Sequence, residues 1–225
     1  PWEWTEVTWA DGIDMETGRP NFNPDAIVYS GSTVELACPF SGGNWEQQTY
    51  SPNTGLYYFT GHFGCFTGYG VRQEDFVPGQ EWSLFALEGF QAVGPSGMLW
   101  AVDPSTGETA WQVAQEGIGN KRPLLSTAGN LLFQGTEEGT VRAYDATTGE
   151  TVWDFRAGAG FRNSPISYIG PDGRQYIAVI SSSGPSTQQV QADAPEHAAG
   201  RYARAGSTLY VFALPDFVLE QASSN

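Results

Sequence analysis

The sequence predicts an all-β fold, a β-propeller of about four four-stranded blades, and three observations lead there. The first is composition. Gly (28) and Pro (14) supply turn formers along the 225 residues, while aromatics reach 14% with eight Trp. Many turns combined with many large apolar side chains mark short packed strands rather than long helices or a disordered linker. The second is an internal repeat. Leu99–Trp111 returns as Val141–Trp153, with Ala, Asp, Thr, Gly, Glu, Thr and Trp coinciding at an offset of 42 residues. The third is that period, which is the size of one four-stranded propeller blade; helical and leucine-rich solenoids show other periods.

Taken in chain order, the first copies are irregular: Asp14-Met15-Glu16-Thr17-Gly18 and Ser51-Pro52-Asn53-Thr54-Gly55. The Thr-Gly pairs of these four copies begin at 17, 54, 106 and 148, spaced by 37, 52 and 42 residues. In the two clear copies, alternating apolar residues before the Asp (Leu99, Ala101; Val141, Ala143) make a strand with one buried face. Asp-x-x-Thr-Gly is a tight turn, in which Asp and Thr bond local backbone groups and Gly supplies positive φ. A second strand then carries Trp111 or Trp153 onto a neighbour. Strands are expected at 97–103, 108–113, 130–136, 139–145, 150–155, 164–168, 174–181 and 207–213. Residues 181–206, rich in Ser, Gly, Gln and Ala, read as a long surface insertion between strands. The chain opens on Pro1-Trp2-Glu3-Trp4 with no Met and no signal-like segment, so the expectation is a processed piece of a larger ring.

Charge narrows the partners. Ten Lys and Arg against 25 Asp and Glu give a net charge of -15, which repels phosphate backbones and anionic membrane surfaces. No apolar run reaches membrane-spanning length. Two cysteines, Cys38 and Cys65, are too few for a zinc site, and His62 and His197 stand alone. One disulfide is the more economical reading, the other being two buried thiols that never meet. A disulfide implies an oxidising compartment, the periplasm or the exterior.

The repeat resembles the tryptophan-docking motif of the quinoprotein dehydrogenases, eight-bladed propellers that carry pyrroloquinoline quinone (PQQ) and a divalent metal, usually calcium. Asp14–Pro20 resembles their Thr-Gly-Arg-Pro turn. Cys38-Pro39-Phe40-Ser41-Gly42-Gly43-Asn44-Trp45 resembles their Cys-Pro…Gly-Gly-x-Asn-Trp stretch. Tyr50–Tyr58, Thr127–Thr136 and Leu209–Leu214 follow in the family's order. The resemblance implies the C-terminal part of such an enzyme, with the docking Trp of one blade stacked on the turn Gly of the next.

It also implies site residues. Asn44 maps onto the family's quinone-contacting Asn, whose amide donates to the carbonyl side of the cofactor. Trp45 either lines the same pocket or is core. Where the family carries an aromatic residue and a Gly pair, this chain has Gly119–Ser126, so Lys121 and Arg122 either offer cations to the trianionic quinone or are solvated loop residues. That departure points away from methanol and ethanol toward polyols, sugars or bulky secondary alcohols. The family's metal ligands and general base lie upstream, so Glu46, Asp25 and Asp75 are expected to be surface charges. Electrons would pass to a cytochrome or similar acceptor, and no Cys-x-x-Cys-His marks a haem in this chain. The rival is a non-enzymatic envelope scaffold with the same docking repeats, which would have no need of a disulfide beside an Asn-Trp pair.

Overall fold

The computed structural model describes residues 5, 7–26, 31–38, 43, 45–61, 64–70, 78–79, 85–92, 97–115, 122–182 and 206–215, with backbone alone at 34–36 and 85–92. Strands β1 (Ala10–Ile13) and β2 (Pro20–Phe22) form a hairpin. After a 3-10 turn at Pro24–Ala26 come β3 (Thr33–Ala37), β4 (Thr49–Ser51), β5 (Leu56–Gly61), β6 (Gly64–Gly70) and β7 (Phe85–Ala92). The two clear repeats supply β8 (Gly97–Val102), β9 (Thr109–Gln115), β10 (Leu124–Ser126), β11 (Leu131–Gly135), β12 (Thr140–Asp145) and β13 (Thr151–Arg156). β14 (Ile166–Ile169), β15 (Gln175–Ser182) and β16 (Ser207–Phe212) follow. Every pairing among the described residues is antiparallel, and the architecture is that of a propeller.

Among the described residues two sheets have four strands, β4-β5-β8-β9 and β10-β11-β12-β13, and two have three, β14-β15-β16 and β3-β6-β7. The last one departs from the simple repeat. The hairpin β6–β7 is inserted between the second and third strands of the β4-β5-β8-β9 blade and leaves it to pair with β3. Copies of the Thr-Gly turn are therefore not blades. The turn closes β1–β2 and β4–β5 as well as β8–β9 and β12–β13. In all four places the Gly N–H donates to the carbonyl four residues back, at 2.8–2.9 Å.

The turn chemistry is the one the sequence dictates. Asp145 Oδ1 accepts from the N–H groups of Thr147 and Thr148, and Thr148 Oγ1 accepts from the N–H of Glu150. Asp14 and Asp103 make the same bond to the residue two ahead, Glu16 and Ser105. These bonds hold both carboxyls below their ordinary value of 3.8: at Asp14 the Glu16 N–H contributes most, at Asp103 the Ser105 hydroxyl. A carboxylate depressed by folding stabilises the fold above its unfolded value and loses that contribution as pH falls through the folded one. Urea midpoints should therefore drop as pH is lowered from 4 toward 2. The drop should be smaller in an Asp14→Asn/Asp103→Asn variant, and equal drops would disconnect these turns from acid sensitivity.

The core lies between sheets. Tyr58, Leu99 and Ala101 of one blade pack on Leu124, Leu132, Tyr144 and Ala146 of the next. Val141 and Phe155 of that blade then pack on Val179, Tyr210 and Phe212. The first seam carries a lock. Trp111 lies so close over Gly149 that a Cβ there would stand 2.6 Å from its ring. Trp111 Nε1 and the Tyr58 hydroxyl both donate to the Ala146 carbonyl, at 3.0 and 2.9 Å. Beside it Gln115, Gln134 and Tyr144 bond one another while fully buried, so the seam is registered by polar contacts as well as area. Trp153, the equivalent of Trp111, instead meets Phe212 edge-on at 5.1 Å. The chain after β16 reads Ala213-Leu214-Pro215 and offers no Thr-Gly turn for it to dock on.

Candidate functional site

The two segments singled out as cofactor-contacting meet at one seam. β4 and β10, the first strands of adjacent blades, run side by side: Leu124 N–H donates to the Gln47 carbonyl at 2.9 Å, and Thr49 Oγ1 lies 2.7 Å from Ser126 Oγ. Farther along, Ser126 Oγ donates to the Tyr50 carbonyl and Asn53 Nδ2 to that of Ala128. At the entry end Thr60 Oγ1 donates to the Arg122 carbonyl at 3.2 Å. Asn44 and Lys121 themselves lie outside the described residues, as do His62, Asp75, His197 and 183–205 of the insertion. The immediate neighbours, Trp45–Gln47 and Arg122–Leu124, are drawn together at the start of these two strands.

The segment that carries Asn44 is anchored on both sides. On one side Cys38 forms a disulfide with Cys65, joining the end of β3 to the start of β6 with 4.4 Å between Cα atoms. Cys38 is further held by Thr8, whose Oγ1 accepts from the Cys38 N–H and whose own N–H donates to the Cys38 carbonyl, both at 3.0 Å. On the other side is the Gln47–Leu124 bond. Between these anchors Trp45 is 71% exposed, so it is not a core residue.

Two expectations need correction. Glu46 is not a surface charge: it is 4% exposed, turned inward where Trp45 turns outward, in a stretch whose orientation the Gln47 bond fixes. Asp25 is exposed, as a surface charge should be. Arg122 is not a solvated loop residue. It is 1% exposed and its Nη2 lies 2.6 Å from Glu138 Oε1, so its charge is met within the chain. A second pair, Arg162 Nε to Glu137 Oε1 at 3.2 Å, sits beside it on the same β11–β12 turn. Nothing in the spacing of Glu137 and Glu138 signals these pairs, which depend on two separate strand entries reaching one hairpin.

Comparison with known proteins follows this geometry. A family model described as outer membrane protein assembly factor BamB matches residues 95–212, the part that holds the docking repeats. Over 94% of its length the chain is 34% identical to quinoprotein alcohol dehydrogenase PedE of Pseudomonas putida, and it covers 34% of that protein. It is 32% identical to a quinoprotein ethanol dehydrogenase of Pseudomonas aeruginosa over 96% of the chain and 36% of the relative. Among solved structures it superposes on a europium-containing methanol dehydrogenase with a TM-score of 0.80 and 28% identity, covering 94% of this chain and 40% of that one. The chain thus spans about a third of the length of the relatives it matches.

Proposed function

The chain belongs to the family of PQQ-dependent quinoprotein dehydrogenases, and on that premise we propose that it forms the C-terminal part of the ring of a periplasmic alcohol, polyol or sugar dehydrogenase. The observation that carries this reading is the segment from Cys38 to Gln47, anchored at both ends and containing the exposed Trp45 just before β4. When bound, PQQ supplies the two-electron acceptor for alcohol oxidation. This chain's contribution would be to hold it: the Asn44 amide would donate to the carbonyl side, Trp45 would line the pocket through its ring, and Lys121 would add positive charge. Calcium and the general base are assigned to the part of the relatives that this chain does not span, and a cytochrome-type protein takes the electrons. The chain alone is accordingly inactive.

A disulfide supports the periplasmic placement. Among the described residues no helix is long and apolar enough to cross a membrane. A second reading, a non-catalytic envelope scaffold, draws on the family model matched over 95–212. That match excludes residues 38–47, and the relatives aligned over nearly the whole chain are dehydrogenases by name.

Asn44→Ala tests the assignment in the complete enzyme. PQQ affinity should fall at least tenfold, about 1.4 kcal/mol for a lost hydrogen bond to a buried polar group, with an unchanged circular dichroism spectrum. Unaltered PQQ affinity and turnover in the folded variant would remove Asn44 from the site.

A further inference from the structure

β10 is too short to fix its own beginning. It has three residues, and its pairing with β11 begins at Leu124. Pro123 before it has no backbone N–H to contribute. Yet much depends on this entry, because the Leu124 N–H holds the Gln47 carbonyl and so anchors residues 45–47. Arg122 fixes the entry through its side chain. The guanidinium is 1% exposed, and its Nη2 lies 2.6 Å from Glu138 Oε1. A charge taken out of water stays with its counter-charge, since parting them leaves it buried and uncompensated. The backbone of Arg122 is thereby held where its carbonyl accepts from Thr60 Oγ1.

The other end of this pair is rigid. Glu138 stands on the β11–β12 turn, where the Thr140 N–H donates to Thr136 Oγ1 and the Gly139 N–H to the Thr136 carbonyl. The chain between β13 and β14 braces the turn from outside: Ala157 N–H donates to the Gly139 carbonyl at 2.7 Å, and Phe161 N–H to that of Thr136 at 2.9 Å. Gly160 passes so close that a Cβ there would stand 2.4 Å from the Glu137 carbonyl oxygen. Glu137 pairs on this side, with Arg162. Two adjacent carboxylates thus serve opposite neighbours, Glu137 the segment before β14 and Glu138 the entry of β10.

We infer that Glu138 is a positioning residue for the cofactor seam: through Arg122 it sets the start of β10, and through the Leu124–Gln47 bond that start sets the placement of residues 45–47. The inference rests on the reading that this segment adjoins the quinone. Glu137 supplies the control, because it makes the same kind of buried pair from the same turn while its partner leads away from the seam.

The test compares Glu138→Ala with Glu137→Ala in the complete enzyme, each first shown to fold by circular dichroism. Each removes the acid from a buried ion pair, so a merely structural role predicts the same result for both. Hydrogen exchange read by mass spectrometry should show the Leu124 amide exchanging roughly tenfold faster in Glu138→Ala than in Glu137→Ala. PQQ titration should show affinity lowered by roughly fivefold to tenfold in Glu138→Ala and unchanged in Glu137→Ala. Glu138→Gln keeps an acceptor for Arg122 Nη2 and should recover most of both. Should the alanine variant fail to fold, Glu138→Asp retains the charge on a shorter arm, and Leu124 should again exchange faster than in Glu137→Ala. Equal exchange at Leu124 in the two positions, or full PQQ affinity in a folded Glu138→Ala enzyme, overturns the assignment. Wild-type enzyme that takes up no PQQ sinks the functional reading instead, and the exchange measurement still decides whether Glu138 sets the strand entry.

Discussion

Gly149→Val should unfold the chain at markedly lower denaturant, with a loss of roughly 2–6 kcal/mol. Two effects combine. Gly149 sits at φ +77, where a β-branched residue is strained by roughly 1–3 kcal/mol. Its Cβ would also stand 2.6 Å from the Trp111 ring, and overpacking of this kind costs about 1–3 kcal/mol more. A flexible side chain could yield, but Trp111 is pinned through its indole N–H to the Ala146 carbonyl. Gly55→Val, at φ +71 in the Thr-Gly turn between β4 and β5 and with nothing within 4 Å of where its Cβ would stand, carries the backbone strain alone and separates the two contributions. Equal losses at both positions would show that docking of Trp111 on the turn adds nothing to stability.

Replacing Cys38 and Cys65 together with serine should cost roughly 3.5 kcal/mol on the chain-entropy model for a loop of this span. The consequence extends beyond stability. The disulfide is one of the two anchors of the segment leading to Asn44, and its loss would leave position 38 held by Thr8 and by the neighbouring Ala37–Phe66 pairing. PQQ affinity should fall in the reduced or substituted enzyme at temperatures where the fold persists. Denaturation curves and quinone titrations on one preparation separate the effects. A large loss of stability with unchanged affinity would make the disulfide a staple of β3 and β6 only.

The sequence disclosed the blades more readily than the seams between them. β8, β9, β11, β12 and β13 lie within two residues of their expected bounds because Leu99, Ala101, Val141 and Ala143 alternate strictly and the Asp-x-x-Thr-Gly turn fixes where each hairpin reverses. β10 escaped notice, since three residues give no periodicity to read. The β6–β7 excursion was equally hidden. Its pairing with β3 is long-range, and local propensity cannot tell which sheet a hairpin will join. Thr-Gly spacing suggested one turn per blade, but the turn chemistry is local and serves any hairpin, including β1–β2 and β4–β5.

The site was legible in part for the same reason. Trp45 and the cysteines stand in a recognisable stretch, whereas the Gln47–Leu124 bond that places this stretch against the β10 entry joins residues far apart in sequence. Charge was the poorest guide. Glu46, Glu137 and Arg122 look solvated in one dimension, and all three are buried. Gln115 and Gln134 offered a usable signal: polar residues at inward positions of apolar strands must find partners, and they found each other.

The central claim, that this chain forms a wall of a PQQ pocket, is tested most directly by native mass spectrometry of the ring assembled from this chain and the remaining part, with calcium and PQQ present. The account predicts a complex carrying one PQQ in the wild type and a much reduced PQQ-bearing fraction in Asn44→Ala. A fully assembled ring that never carries quinone would contradict it and leave the scaffold reading in its place.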